Sequence, residues 1–281
     1  MEIAELEELG AEMRKTVLRM TNRAGMGHVG GSLSEIEILT ALYFSIMRID
    51  PANPRWKNRD RFILSKGHAS PGYYTVLAYR GFFPLETLNT FDSCGTILQS
   101  HPDMHKCPGV DYSTGSLGQG ISVALGMAVA AGIYKKNHTV FVLVGDGEAQ
   151  EGQVWEALMW AAANWTKHLV IIFDANNVQL AGKNTCGTDA DALLRKLRGF
   201  DMVALEADGH DFASLLPVMK EAVDLSVEGP IAIVARTVKG KGISFMEGKF
   251  QWHGKAPDDA ELVLALAEIT ASRRETQNPG E

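Results

Sequence analysis

Val142-Leu143-Val144-Gly145-Asp146-Gly147 is a β-branched apolar run that stops on two glycines flanking one carboxylate. A short, nearly continuous run of this kind reads as a strand buried on both faces of a parallel sheet, which sets Asp146 at the strand's carboxyl end. Glu148 to Gly152 then leads into a helix beginning near Val154. The next apolar run, 169–173, delivers Asp174-Ala175-Asn176-Asn177-Val178. Strand, helix and strand need roughly 30 residues, so Asp146 and Asn176 fall on the same edge of one βαβ unit.

The alternation repeats on either side of this unit. Further strands are expected over 61–64 and 231–235, with the strand before Gly145 spanning 139–144. Helices are expected over 5–22, 34–47, 118–134, 153–163 and 212–225. The pattern predicts an α/β fold, a parallel sheet with helices on both faces, and ligands at the carboxyl ends of the strands. No internal repeat or low-complexity tract interrupts it. Residues 1–257 read as the main domain, and 258–281 as a last helix over 258–269 followed by a polar tail from Ser272.

Composition narrows the function classes. The 281 residues are 46% apolar and 22% charged, enough for a sizeable core in one large domain or two small ones. A formal charge of -7 and a pI near 5.7 speak against a general nucleic-acid binder, which needs a basic face for phosphates. Cys94, Cys107 and Cys186 are widely spaced and form no CxxC pair, the pattern of reduced intracellular thiols. Charges interleave the first twenty residues, which leaves no signal-peptide core, and no run approaches the roughly 20 apolar residues of a membrane span. A cytoplasmic protein is expected. The tripeptides Asn137-His138-Thr139 and Asn164-Trp165-Thr166 are then chance matches to the glycosylation pattern.

A carboxylate oxygen, an amide oxygen and a nearby backbone carbonyl are hard ligands, suited to magnesium or calcium and poorly suited to zinc. An isolated Gly-Asp-Gly is usually only a turn. Here the strand context and the asparagine give it company. Other phosphate loops fit worse, because Gly145 to Gln150 lacks the third glycine of GxGxxG and Gly147 to Gln153 lacks the Lys-Ser/Thr of a P-loop. The pattern resembles the motif shared by thiamine-diphosphate enzymes, a Gly-Asp-Gly followed about 30 residues later by an asparagine. The resemblance implies thiamine diphosphate held through Mg2+, with Ca2+ as the other candidate, and Asp146, Asn176 and the carbonyl of Val178 as metal ligands.

Four of the eight histidines lie in glycine- or proline-bearing turns. They are His28 in Gly27-His28-Val29-Gly30-Gly31-Ser32, His68 in Ser65-Lys66-Gly67-His68, His101 in Ser100-His101-Pro102, and His253 in Trp252-His253-Gly254-Lys255. With Thr114-Gly115-Ser116-Leu117-Gly118-Gln119-Gly120 and the run from Gly145 to Gly152, these turns are similar to transketolase motifs in transketolase order. The resemblance covers nearly the whole chain, from about residue 10 to residue 257. His101 and His105 also form an HxxxH pair, but Pro102 disfavours a continuous helix there and no third zinc ligand is evident. His105, His138, His168 and His210 read as surface or packing residues.

Transketolase chemistry moves a two-carbon unit from a ketose to an aldose, and its steps take protons from sugar oxygens or return them. Imidazole suits that task near neutral pH. The resemblance implies that His101 recognises the donor's C1 hydroxyl, that His28 and His253 serve oxygens at the reacting carbons, and that His68 sits by the cofactor. It places Lys66 and Lys239 near the diphosphate, although alone they read equally as solvated loop lysines. Gly115, Ser116 and Leu117 would form a close turn against the cofactor, beside Gly145 and Gly147. Glu151 would meet an opposing subunit.

A full transketolase is more than twice this length. Its second domain, which carries the glutamate that activates the aminopyrimidine and the residues that hold the substrate phosphate, finds no counterpart in this sequence. The resemblance therefore implies a partner-dependent subunit of a split enzyme, an α2β2 assembly with a companion chain bearing the pyrimidine-binding domain. Rival readings are a 1-deoxyxylulose-phosphate synthase, a 2-oxo-acid dehydrogenase component, or a non-catalytic cofactor-binding chain. Trp252-His253-Gly254 and Ser65-Lys66-Gly67-His68 favour transketolase over the first two, and the retained Asp146, Asn176 and histidines oppose the third. The particular sugar phosphates are not legible in the sequence.

Overall fold

Alternate residues of the apolar runs enter two separate cores. The computed structural model describes residues 1–277. Its strands are β1 (Arg61–Leu64), β2 (Val140–Gly145), β3 (Leu169–Ala175), the short pair β4 (Val178–Gln179) and β5 (Gly182–Lys183), β6 (Val203–Asp208) and β7 (Ile231–Arg236). Five of them form one sheet in the order β1-β2-β3-β7-β6, parallel throughout, while β4 and β5 make a separate antiparallel hairpin. In register, Gly145 pairs with Asp174 and Ala175 with Arg236, which lines up the loops that follow β2, β3 and β7.

The helices are α1 (Ile3–Ala24), α2 (Val29–Ser34), α3 (Ile36–Ala41), α4 (Ser70–Arg80), α5 (Gln119–Ile133), α6 (Gly152–Ala163), α7 (Ala190–Gly199), α8 (Phe212–Leu225) and α9 (Asp259–Gln277). Phe62, Phe141, Leu143, Ile172 and Ile233 join a core with α1 to α4, α8 and α9. Ile63, Val142, Val144, Phe173 and Val234 join the opposite core with α5, α6 and α7. Both faces are thus covered, as the continuous apolar strands require. Each fully buried Phe, Leu or Ile contributes roughly 1.5–3 kcal/mol relative to exposure.

The strands expected from the apolar runs are all present, and so is the parallel arrangement with helices on both faces. One expectation needs correcting: the helix over 34–47 is broken at Glu35 and resumes as α3, followed by a π turn over Leu42–Ile46. Glu35 forms the junction at φ -99° and ψ -1°, its carbonyl accepting from Leu39 N–H at 2.9 Å and its buried carboxyl lying against Lys66. Also, α9 runs to Gln277, so 272–277 are helical rather than a polar tail. The rest of that tail lies outside the described residues. Ala265 and Ile269 of α9 are buried in the α1-side core. Among the described residues no helix is long and apolar enough to cross a membrane.

Candidate active site

The loops after β1, β2, β3 and β7 converge on a cavity of about 280 Å³. It is lined by Lys66 and His68 after β1, Gly145 at the end of β2 and Asp146, Gly147, Glu148 and Glu151 after it, Asn176 and Val178 after β3, and Lys239 and His253 after β7, with Gly31 and Leu117. Eleven of the residues singled out in the sequence therefore share one cavity. His28 stands one ring away, its centroid 5.0 Å from His68 and 5.4 Å from His253, and the His68 and His253 rings stack at 5.0 Å.

His101, Gly115 and Ser116 do not line the cavity. His101 is exposed and packs on Gly115, where a Cβ would come within 2.9 Å of the ring and φ is +155°. Only glycine fits that approach without strain. Ser116 is exposed, in the turn before α5. His105 is also exposed, and among the described residues no group of three or more His, Cys, Asp or Glu is placed to hold a metal.

Asp146 is buried at the tip of β2. Its Oδ1 accepts from Gly147 N–H at 2.8 Å, and its Oδ2 from Asn177 N–H. Asn177 adopts φ +61°, the left-handed turn that brings its N–H back to Asp146. Asn176 Oδ1 accepts from Val178 N–H at 3.1 Å, and the Val178 carbonyl accepts from Lys239 Nζ at 3.4 Å. Burial first, and then the nearby Asp174, push Asp146 up to about 7. Among the described residues no side-chain cation pairs with Asp146, so a divalent cation would relieve both effects. The donors are oxygens of carboxylate, amide and carbonyl type, a set that fits magnesium or calcium and does not fit zinc.

The two lysines differ. Lys66 Nζ donates to Asp174 Oδ2 at 2.5 Å and to Gly31 O at 2.8 Å, and lies 2.8 Å from Glu35 Oε2. That last approach is close but out of line, and neither Glu35 oxygen takes part in a hydrogen bond. Burial raises Glu35 to about 8 against the pull of Lys66, so Asp174 carries the answering charge. Among the described residues Lys239 Nζ has no carboxylate partner, and it lies 3.0 Å from His253 Nδ1. Burial and then Lys66 lower it to about 8.

With Lys239 donating, His253 Nδ1 is an acceptor and its proton sits on Nε2. Burial, then Lys239, lower His253 to about 3. His68 is held well below the usual imidazole range by burial and Lys66, and His28 is lowered by burial, His101 and Lys239. These three rings are neutral near pH 7, fit to accept a proton or to hydrogen-bond a hydroxyl.

Three carboxyls escaped the sequence reading. Glu148, inside the quoted Gly145–Gly152 run, is buried and ties three loops together. Its Oε1 accepts from Ser65 Oγ at 2.5 Å and Gly118 N–H at 2.8 Å, and its Oε2 from Gly145 N–H at 3.0 Å. Asp174 accepts from Ser34 Oγ at 2.6 Å and from Thr237 Oγ1 as well as from Lys66. A carboxylate closing an apolar strand was the available signal for Asp174. Glu35 had none.

Neutral imidazoles face an under-compensated buried carboxylate and lysine at the ends of parallel strands, so the cavity of this α/β domain suits an anionic, polar ligand. The family model described as "Transketolase, thiamine diphosphate binding domain" matches residues 7–272. The chain is 41% identical over 265 residues to the 6-deoxy-6-sulfo-D-fructose transketolase subunit SqwG of Clostridium sp. (strain MSTE9), covering 94% of this chain and 96% of that one. It is 41% identical over 256 residues to an apulose-4-phosphate transketolase subunit of Actinobacillus succinogenes, covering 91% and 92%. The crystal structure of Campylobacter jejuni transketolase superposes with a TM-score of 0.87 at 28% identity, over 96% of this chain but 43% of that chain. The chain belongs to the transketolase family, as its thiamine-diphosphate-binding part.

Proposed function

We propose that the chain is the cofactor-binding subunit of a two-chain transketolase, which moves a two-carbon ketol unit from a ketose phosphate to an aldose phosphate. The observation that carries this reading is the convergence of Asp146, Asn176 and the Val178 carbonyl on one cavity with His68, His253 and Lys239. Asp146, Asn176 and Val178 would hold Mg2+, or Ca2+, and through it the diphosphate. When bound, thiamine diphosphate supplies the nucleophilic carbon and the electron sink that ketol transfer needs.

The chain's own residues supply the rest. Lys239 answers the diphosphate charge, and Lys66 fixes the loop geometry around it. His28, His253 and His101 orient sugar hydroxyls and move protons at their oxygens, while His68 packs beside the cofactor. Gly115, Ser116 and Leu117 form the turn against it, and Glu151 faces the partner. Residues 1–257 form the cofactor-binding unit, with 258–281 appended.

The partner is a companion chain that carries the pyrimidine-binding domain, in an α2β2 assembly. Relatives named as subunits match over nearly their whole length, whereas this chain spans less than half of a one-chain transketolase, which supports that division. We place the protein in the cytoplasm, where the exposed Cys94 and Cys186 would stay reduced. A ketol-transfer assay with a ketose phosphate donor tests the reading. The 281-residue chain with magnesium and cofactor should be inactive alone and active once the companion is added, and full activity from the chain alone would contradict it.

A further inference from the structure

We infer that His210 is a positioning residue for Lys239, acting from outside the cavity; the inference rests on the transketolase reading above. The sequence marked His210 as a surface or packing residue, yet its ring uses both nitrogens. Nε2 accepts from Val238 N–H at 2.8 Å, so the ring proton lies on Nδ1 and is donated to Glu37 Oε2 at 3.0 Å. Glu37 takes both terminal nitrogens of Arg14, one at 2.6 Å, and Arg14 Nε donates to the Lys241 carbonyl at 3.2 Å. The three side chains are only 8–10% exposed.

This relay grips the backbone on both sides of Lys239. Val238 is held by His210 and Lys241 by Arg14, while Gly240 N–H donates to Gly30 O at 3.0 Å. The loop that carries His210 lies directly against the one it serves: Gly209 N–H donates to Arg236 O at 2.7 Å, and a Cβ on Gly209 would come within 2.9 Å of that oxygen. A side chain that merely filled space would not need one tautomer. His210 needs it, because the Val238 N–H it receives belongs to the residue immediately before Lys239. Without an acceptor, that half-buried N–H would turn towards water, and Lys239 would leave its place beside His253.

The test is calorimetric titration of thiamine diphosphate with magnesium into the full chain assembled with its companion. His210→Phe keeps the ring and removes the acceptor, and should weaken cofactor binding about tenfold. His210→Gln keeps an oxygen for Val238 and should stay within about twofold of wild type. In a Lys239→Met background, His210→Phe should add nothing, since coupled residues are non-additive. Unchanged affinity in His210→Phe, or the same loss with Lys239 already removed, overturns the positioning role. Should the Phe variant not fold, Glu37→Gln frees the tautomer and enters the same cycle with the same expected direction and the same overturning results. Wild-type protein that binds no cofactor refutes the functional reading and this role together, whereas binding wild type with an unaffected variant refutes the role alone.

Discussion

The loops after β1 and β7 each send one lysine to the same cavity, and the two lysines stand in opposite electrostatic circumstances. Burial works against the charge of Lys66, but the Asp174 carboxylate outweighs it and holds the ammonium firmly protonated. Burial also works against Lys239, and there Asp174 and Asp146 fall short of compensating. A buried cation with its own carboxylates is scaffold, because its charge is already answered. One without them is poised for an incoming anion.

The largest expected effect lies with the histidines rather than the lysines. His253→Ala or His101→Ala in the assembled enzyme should lower turnover by about 100- to 10,000-fold with cofactor affinity nearly unchanged. Steady-state kinetics on a ketose phosphate decides it, and wild-type rates would return both residues to packing roles. Lys66→Met should strand Asp174 and cost about 3–5 kcal/mol of stability. Lys239→Met strands no charged partner, only the neutral Val178 carbonyl and His253 Nδ1, and should leave the unfolding temperature unchanged or higher. Equal losses in parallel thermal melts would erase the distinction between the two lysines.

Cofactor affinity reverses the ranking. Lys239→Met should weaken thiamine diphosphate binding by roughly 30-fold or more, since truncating one partner of a buried charge pair costs at least about 2 kcal/mol. The smallest effect concerns the relay behind Lys239, where Glu37→Gln should cost on the order of 1.5 kcal/mol at pH 7. Burial would raise Glu37, but Arg14 and His210 outweigh it and hold it at about 2, below its ordinary 4.5. A depressed acid stabilises the fold above its unfolded pKa and loses that contribution as pH falls through the folded one. The advantage of wild type over Glu37→Gln in urea melts should therefore be complete above pH 4.5 and shrink towards pH 2. A gap that widens on acidification would contradict the pairing.

The sheet was legible because its strands are buried on both faces and so read as unbroken apolar runs. β6 was not, because Val203 and Glu206 are exposed at an edge and its pattern is mixed. α7 escaped although Asp189 caps it through Ala192 N–H, since charged and apolar residues alternate too briefly there to stand out. At the site, turn chemistry and motif order made legible the meeting of Asp146, Asn176, His68 and His253 on one cavity, whereas His101 was expected there and lies outside it. The division of labour between Lys66 and Lys239 was not. It depends on Glu35 and Asp174, which are remote from Lys66 in sequence and meet it only once α2, β1 and β3 have packed.

Titration of magnesium and thiamine diphosphate into the assembled protein, wild type against Asp146→Ala, tests the cofactor site most directly. We expect saturable binding by wild type and none by Asp146→Ala, with the variant's unfolding temperature no lower, because the carboxylate it lacks is buried and pairs with no side-chain cation among the described residues. Equal affinity in the two proteins would mean that Asp146 does not anchor the cofactor.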